Sequence, residues 1–116
     1  MSKEEFIQRK GAIELVFEIG QGATQFSALK DTLRISPTTI SKRLKEGEEE
    51  GLWEEQLLRG PGNHKYRGYV VQDPGAELFE LLREENLIPV IAERRQLEDE
   101  YEQKVEVVRE LARDQE

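Results

Sequence analysis

From Val90 to Asp114 the chain has no glycine and no proline, and its apolar residues recur on a four–three spacing. Val90, Leu97, Tyr101, Val108 and Leu111 hold that spacing, with Arg94 and Lys104 at the two remaining seam positions. Such a run predicts one continuous helix, about 35–40 Å long at about 1.5 Å per residue. In a chain of 116 residues, that leaves residues 1–85 as one small domain and residues 86–116 as an appended element. Apolar residues make up 36% of the chain and charged residues another 36%, so the core is small and part of the apolar surface is left for a partner to complete. A helix with one apolar stripe needs a cover, and a second copy is the simplest, so a homodimer through a coiled-coil-like seam is expected. Arg94 and Lys104 weaken such a coil but set its register. The alternative is that the helix folds back on its own domain.

The chain has no cysteine and one histidine, His64. Disulfides, Cys-based metal centres, cysteine nucleophiles and His clusters are therefore excluded, and no metal or other cofactor is expected. No glycine-rich phosphate loop or nucleophile elbow is present, so an enzyme is not expected. The longest uncharged apolar runs are only a few residues, too short for a membrane span or a signal peptide. The expectation is a soluble, cytoplasmic protein with no membrane partner.

Ser2-Lys3-Glu4-Glu5 is a capping box. Phe6, Ile13, Val16, Phe17 and Gly20 follow near helical spacing, so one helix is expected as far as the Gly20-Gln21-Gly22 stop. Thr24 is placed to cap a second, short helix carrying Phe26, Leu29 and Leu33. Ser36-Pro37 starts a third, over about 36–50, with Ile40, Leu44 and Gly47 on one side and Gly51 at its end. Phe26, Leu29, Leu33, Ile40, Leu44 and Leu52 read as core, whereas Trp53 suits either the core or a partner's last helix. Leu52–Leu58 and Lys65–Val71 read as strands, and residues 59–64 between them as a hairpin tip. Asp73-Pro74-Gly75 repeats the cap-plus-proline device before a helix over 76–85, and Pro89 puts a boundary at 86–89. The predicted class is mainly α with a small β-hairpin: two short helices joined by Arg34-Ile35-Ser36 in helix-turn-helix spacing, a hairpin over about 52–71 behind them, and the long C-terminal helix.

These residues resemble a known family. Gln25-Phe26-Ser27-Ala28-Leu29-Lys30, Ile35-Ser36-Pro37-Thr38-Thr39-Ile40-Ser41-Lys42-Arg43-Leu44-Lys45-Glu46 and Glu50-Gly51-Leu52 are similar to the core of winged helix-turn-helix transcription regulators of the HxlR type. Lys65–Val71, followed by Gly75, is similar to that family's second wing strand. The resemblance covers about residues 11–82, and it implies a sequence-specific regulator that binds double-stranded DNA as a homodimer. Gly47 departs from it, standing where the family usually has leucine, and leaves room for a side chain such as Trp53 to approach the helix backbone.

With Ile40, Leu44 and Gly47 inward, Thr38, Lys42 and Lys45 fall on the opposite face, flanked by Thr39 and Ser41. The resemblance sets these five in the major groove, with Arg43 and Lys30 near phosphates and Arg59, Lys65 and Arg67 on the wing. The bland reading of the same helix is a solvated face held by Lys42–Glu46 and Lys45–Glu49 pairs. A net charge of −8 argues, by itself, against nucleic acid. Its distribution argues the other way. Residues 24–45 carry five cations against Asp31, and residues 59–67 three cations with no acid, so the remainder carries −15. A winged helix that assembles proteins and never touches DNA is the alternative function. The operator, and any small-molecule effector, lie outside what the residues specify.

Overall fold

Ser2 caps the first helix as the capping box requires, its Oγ accepting from the Glu5 amide at 3.1 Å. In the computed structural model, which describes residues 1–22 and 24–115, that helix is only α1 (Lys3–Ile7). The single helix expected up to Gly20 is two, α1 and α2 (Ala12–Gly20). Gly11 between them has φ +83°, a left-handed backbone through which an α-helix does not continue. The buried face of α2 is accordingly Ala12, Leu15, Val16 and Ile19, rotated from the face expected of one long helix.

Next come α3 (Phe26–Thr32) and α4 (Pro37–Glu49). Ser36 caps α4, accepting from the Thr39 amide at 3.2 Å, with Pro37 in the first turn where its missing N–H costs nothing. Thr24 does not cap α3; Gln25 stands at that position. Thr24 instead exchanges both backbone hydrogen bonds with Tyr69, at 3.1 and 2.7 Å, and so adds a third short rung to the hairpin. The hairpin is β1 (Trp53–Arg59) antiparallel to β2 (Lys65–Val71), with Trp53 opposite Val71 and Arg59 opposite Lys65. Its tip, expected to be non-helical, contains one 3₁₀ turn over Pro61–Asn63. Then α5 (Asp73–Glu84) begins one residue earlier than a cap at Asp73 allows. Gln72 is the cap position, and the Asp73 carboxylate sits in the first turn, where it complements the helix dipole. Asn86, with φ +56°, separates α5 from α6 (Leu87–Asp114).

The core joins the first four helices to the root of the hairpin. Phe6, Leu15, Val16, Ile19, Leu29, Ile40, Leu44 and Leu52 are buried, while Phe26 is only half-buried at the edge. Trp53 belongs to this core, at 2% exposure. Its indole meets Phe6 edge to face at 5.7 Å, and its Nε1 donates to the Leu44 carbonyl at 2.9 Å. The indole lies directly over Gly47, where any Cβ would overlap the ring. Glycine in the last turn of α4 is thus the condition for seating the chain's single tryptophan.

The helix α6 has two faces. Ile91, 4% exposed, packs inward, and Arg95 on the same side pairs with Glu14 at 3.4 Å and Glu18 at 2.9 Å while lying over the Phe17 ring. Phe17 in turn stacks on Phe79 of α5, tying the three helices together. The other face carries Val90, Leu97, Tyr101, Val108 and Leu111, each more than half exposed. From Tyr101 to Gln115 every residue is exposed except the half-buried Val105. The radius of gyration, 17.1 Å, exceeds the roughly 13 Å of a compact chain of this length because the second half of α6 projects from the body.

Candidate nucleic-acid interface

On α4 the inward and outward faces fall as 3.6-residue periodicity requires. Ile40, Leu44 and Gly47 are buried, whereas Thr38, Ser41, Lys42 and Lys45 are exposed. Thr39 is half-buried, and its hydroxyl lies 2.9 Å from Ser36 Oγ, within the cap. Lys30 on α3 is exposed as well. On the hairpin, strand alternation and the Arg59–Lys65 register put Trp53, Glu55, Leu57 and Arg59 on one face, with Val71, Tyr69, Arg67 and Lys65 opposite them. Because Trp53 meets α4 through Gly47, the wing cations lie on the face turned toward α4. Arg59 and Lys65 stand directly opposite one another, a like-charge pairing that is unfavourable until an anion joins it.

Two helices leading into an exposed third, a hairpin behind it and a bridge from Thr24 to the second strand make up a recognised architecture. The fold is a winged helix. A possible HxlR family transcriptional factor from Thermoplasma volcanium GSS1 superposes with a TM-score of 0.64 and 20% identity, over 81% of this chain and 84% of that one. The reduced form of the transcriptional regulator YodB from B. subtilis superposes at 0.59 with 22% identity, over 72% and 81%. A PadR-like transcriptional regulator from Bacillus cereus strain ATCC 14579 superposes at 0.56 with 20% identity, over 73% and 88%. No family model and no curated protein matches the chain.

The winged helix corrects part of the expected site. Arg43 is not a free cation at the surface. Its Nη1 pairs with Glu46 Oε1 at 2.6 Å, its Nε donates to the Lys10 carbonyl at 2.9 Å, and its side chain is only 12% exposed. Glu46 accepts a second guanidinium, that of Arg9, at 2.8 Å on its other oxygen. Arg9 and Arg43 thereby clamp the underside of α4 to the turn between α1 and α2. Glu46 is therefore unavailable to Lys42, and neither the Lys42–Glu46 nor the Lys45–Glu49 pair of the bland reading forms. Arg67 stays at the surface but is bound to Glu55 at 2.8 Å. Arg34, which adds to the positive sum of residues 24–45, is held by Glu98, Asp99 and Glu102 of α6. Its hydrogen bond to the Asp99 carboxylate raises its pKa above the ordinary arginine value. What remains is a set of five cations, Lys30, Lys42, Lys45, Arg59 and Lys65, with no ion pair among the described residues. Such a set is chemically suited to a polyanion.

Acidic groups mark the limit of the set. Burial raises the pKa of Glu48, at the trailing end of α4, and Glu55 and Glu54 of β1 add to the shift. Glu55 itself is held below the usual carboxylate range, chiefly by the Arg67 hydrogen bond and then by that of Tyr69. Burial, with the neighbouring Glu55 charge, pushes the Tyr69 phenol up to about 12. The two side chains are joined by a hydrogen bond of 3.2 Å from the Tyr69 hydroxyl to Glu55. No cysteine or histidine group stands near this face except the exposed His64 on the hairpin tip.

Proposed function

We propose that the chain is a sequence-specific regulator that binds double-stranded DNA as a homodimer. The observation that carries the reading is the set of five unpaired cations on α3, α4 and the wing of a chain whose net charge is −8. A protein so acidic has carboxylates in excess, and surface cations commonly find one; among the described residues these do not. In this reading Thr38, Thr39, Ser41, Lys42 and Lys45 meet base edges and phosphates in the major groove, Lys30 a flanking phosphate, and Arg59, Lys65 and Arg67 the backbone beside the wing. The named regulators of the same fold support the assignment to transcription. A two-fold operator suits a protein paired through Val90, Arg94, Leu97, Tyr101, Lys104, Val108 and Leu111, the exposed stripe of α6.

The test is a duplex selected from a random pool, titrated at several salt concentrations. The Lys42→Ala/Lys45→Ala variant should bind it more weakly, with the salt slope flattened by about one per lost phosphate contact. Binding equal to that of the parent chain at every salt concentration would rule out this face. The acidic group formed by Glu48, Glu54 and Glu55, beside the exposed Leu57, supports a second reading in which the wing docks a protein. Retention of no duplex from the pool, together with a partner lost on Leu57→Glu, favours that reading.

A further inference from the structure

We propose that the groove between α6, α2 and the turn joining α3 to α4 binds a small organic anion with an apolar body, such as an aromatic carboxylate or sulfonate. The groove encloses about 330 Å³, a volume within the range of sites that hold small organic molecules. Ile7, Ile13, Leu33, Ile35, Leu87 and Ile91 give it apolar walls. Its charged lining is unlike the rest of the chain. Arg9, Lys10, Arg34, Arg94 and Arg95 border it, against Glu14 and Glu98 alone. Arg9, Arg34 and Arg95 are matched by carboxylates, so the charge left for a ligand beside these apolar walls is that of Lys10 and the weakly held Arg94, which favours an anionic ligand over a cationic one.

The cations differ in their availability. Arg95 is committed to Glu14 and Glu18 and to the Phe17 ring, Arg9 to Glu46, and Arg34 to three carboxylates of α6. Lys10 makes no ion pair among the described residues, and Arg94 has only Glu98, in an exposed i,i+4 pair of the weak class. An anion in the groove therefore engages Lys10 and Arg94 first, with the aromatic or aliphatic body against the isoleucines. Arg34 lies two residues before the Ser36 cap of α4, so the site reaches the start of that helix. The rival occupant is a second copy of the chain, because Val90 and Arg94 border both the groove and the exposed stripe of α6. The organic anion is favoured because ten of the sixteen lining residues belong to α1, α2, the turn between them, the end of α3 and the α3–α4 turn, off that stripe.

The inference does not depend on DNA binding and is tested with no nucleic acid present. The probes are 8-anilinonaphthalene-1-sulfonate and its neutral analogue N-phenyl-1-naphthylamine, followed by fluorescence on the full chain. The sulfonate should bind saturably at one site per chain. Lys10→Gln/Arg94→Gln should weaken the sulfonate about tenfold and leave the neutral probe nearly unchanged. Lys30→Gln, away from the groove, should leave both probes unchanged, and circular dichroism should report the same fold throughout. Non-saturable sulfonate binding, no binding, or equal loss of both probes in the double variant overturns the proposal. Sulfonate binding confined to a monomeric Leu97→Glu/Tyr101→Glu variant also overturns it, and assigns the groove to the partner copy.

Discussion

Replacing Gly47 by alanine separates local propensity from tertiary packing. In an exposed helix interior the change stabilises by about 1 kcal/mol, since glycine has more backbone entropy to lose. At position 47 the added Cβ lies 2.7 Å from Cη2 of Trp53 and closer still to two other ring atoms. The indole must move, and displacement of packed core groups costs about 1–3 kcal/mol. A moving indole also loses the 2.9 Å hydrogen bond from Nε1 to the Leu44 carbonyl, leaving a buried donor unmet at about 1–3 kcal/mol. The net expectation is a loss of about 3 kcal/mol, the reverse of the propensity effect. Urea unfolding followed by circular dichroism and by the fluorescence of the single tryptophan reads both quantities, with emission expected to shift to the red. In a Trp53→Phe background the smaller ring clears the new methyl, so the penalty of Gly47→Ala should shrink to within about 1 kcal/mol of zero. A Gly47→Ala chain that gains about 1 kcal/mol with unchanged emission would refute the argument that the tryptophan dictates this glycine.

Other outcomes follow from the same contacts. Glu46→Ala leaves the mostly buried Arg43 without its carboxylate and should cost about 3 kcal/mol in chemical unfolding; a loss below about 1 kcal/mol would make the clamp energetically idle. Ultraviolet titration of the three tyrosines should show one of them, Tyr69, ionising near pH 12 rather than 10, and Glu55→Gln should bring it down. The fold favours the neutral Tyr69 phenol, so its contribution to stability is complete below pH 10 and falls as pH rises from 10 towards 12. Glu55 has the opposite sign: its contribution is present above the ordinary carboxylate pKa and is lost as pH falls through its depressed value. Leu97→Glu/Tyr101→Glu puts two charges on the exposed stripe of α6 and should leave a monomer in sedimentation equilibrium where the parent chain is dimeric; a parent chain that is itself monomeric removes the homodimer from the proposed function.

Elements whose signals are local were legible in the residues. Ser36-Pro37 and Gly51 bracket α4, the basic Gly-Pro-Gly tip separates two strands close to their observed limits, and Pro89 lies next to the break at Asn86. Caps, prolines and periodicity act over three or four residues, so short windows contain them. The break at Gly11 was missed because a lone glycine in an apolar-periodic stretch is tolerated in many helices; here its left-handed φ turns α1 onto the core. The outward face of α4 was also legible, since its side chains follow from the positions of Ile40 and Leu44.

Charge pairing was not. Arg43 looks like a groove-edge cation in the residues around it, yet its partners include a carbonyl 33 positions away, and Arg34 is claimed by Asp99, 65 positions away. Sequence by itself determined the element order apart from the break at Gly11, the two-faced helix α4 and the separation of positive from negative segments, because each rests on neighbours along the chain. Only the tertiary structure decided which cations are neutralised, that Trp53 occupies the space over Gly47, and that one face of α6 is anchored while the other lies bare. An ion pair or a core contact is made by whichever groups the fold brings within a few ångströms, and that distance is set by the packing of all the elements together.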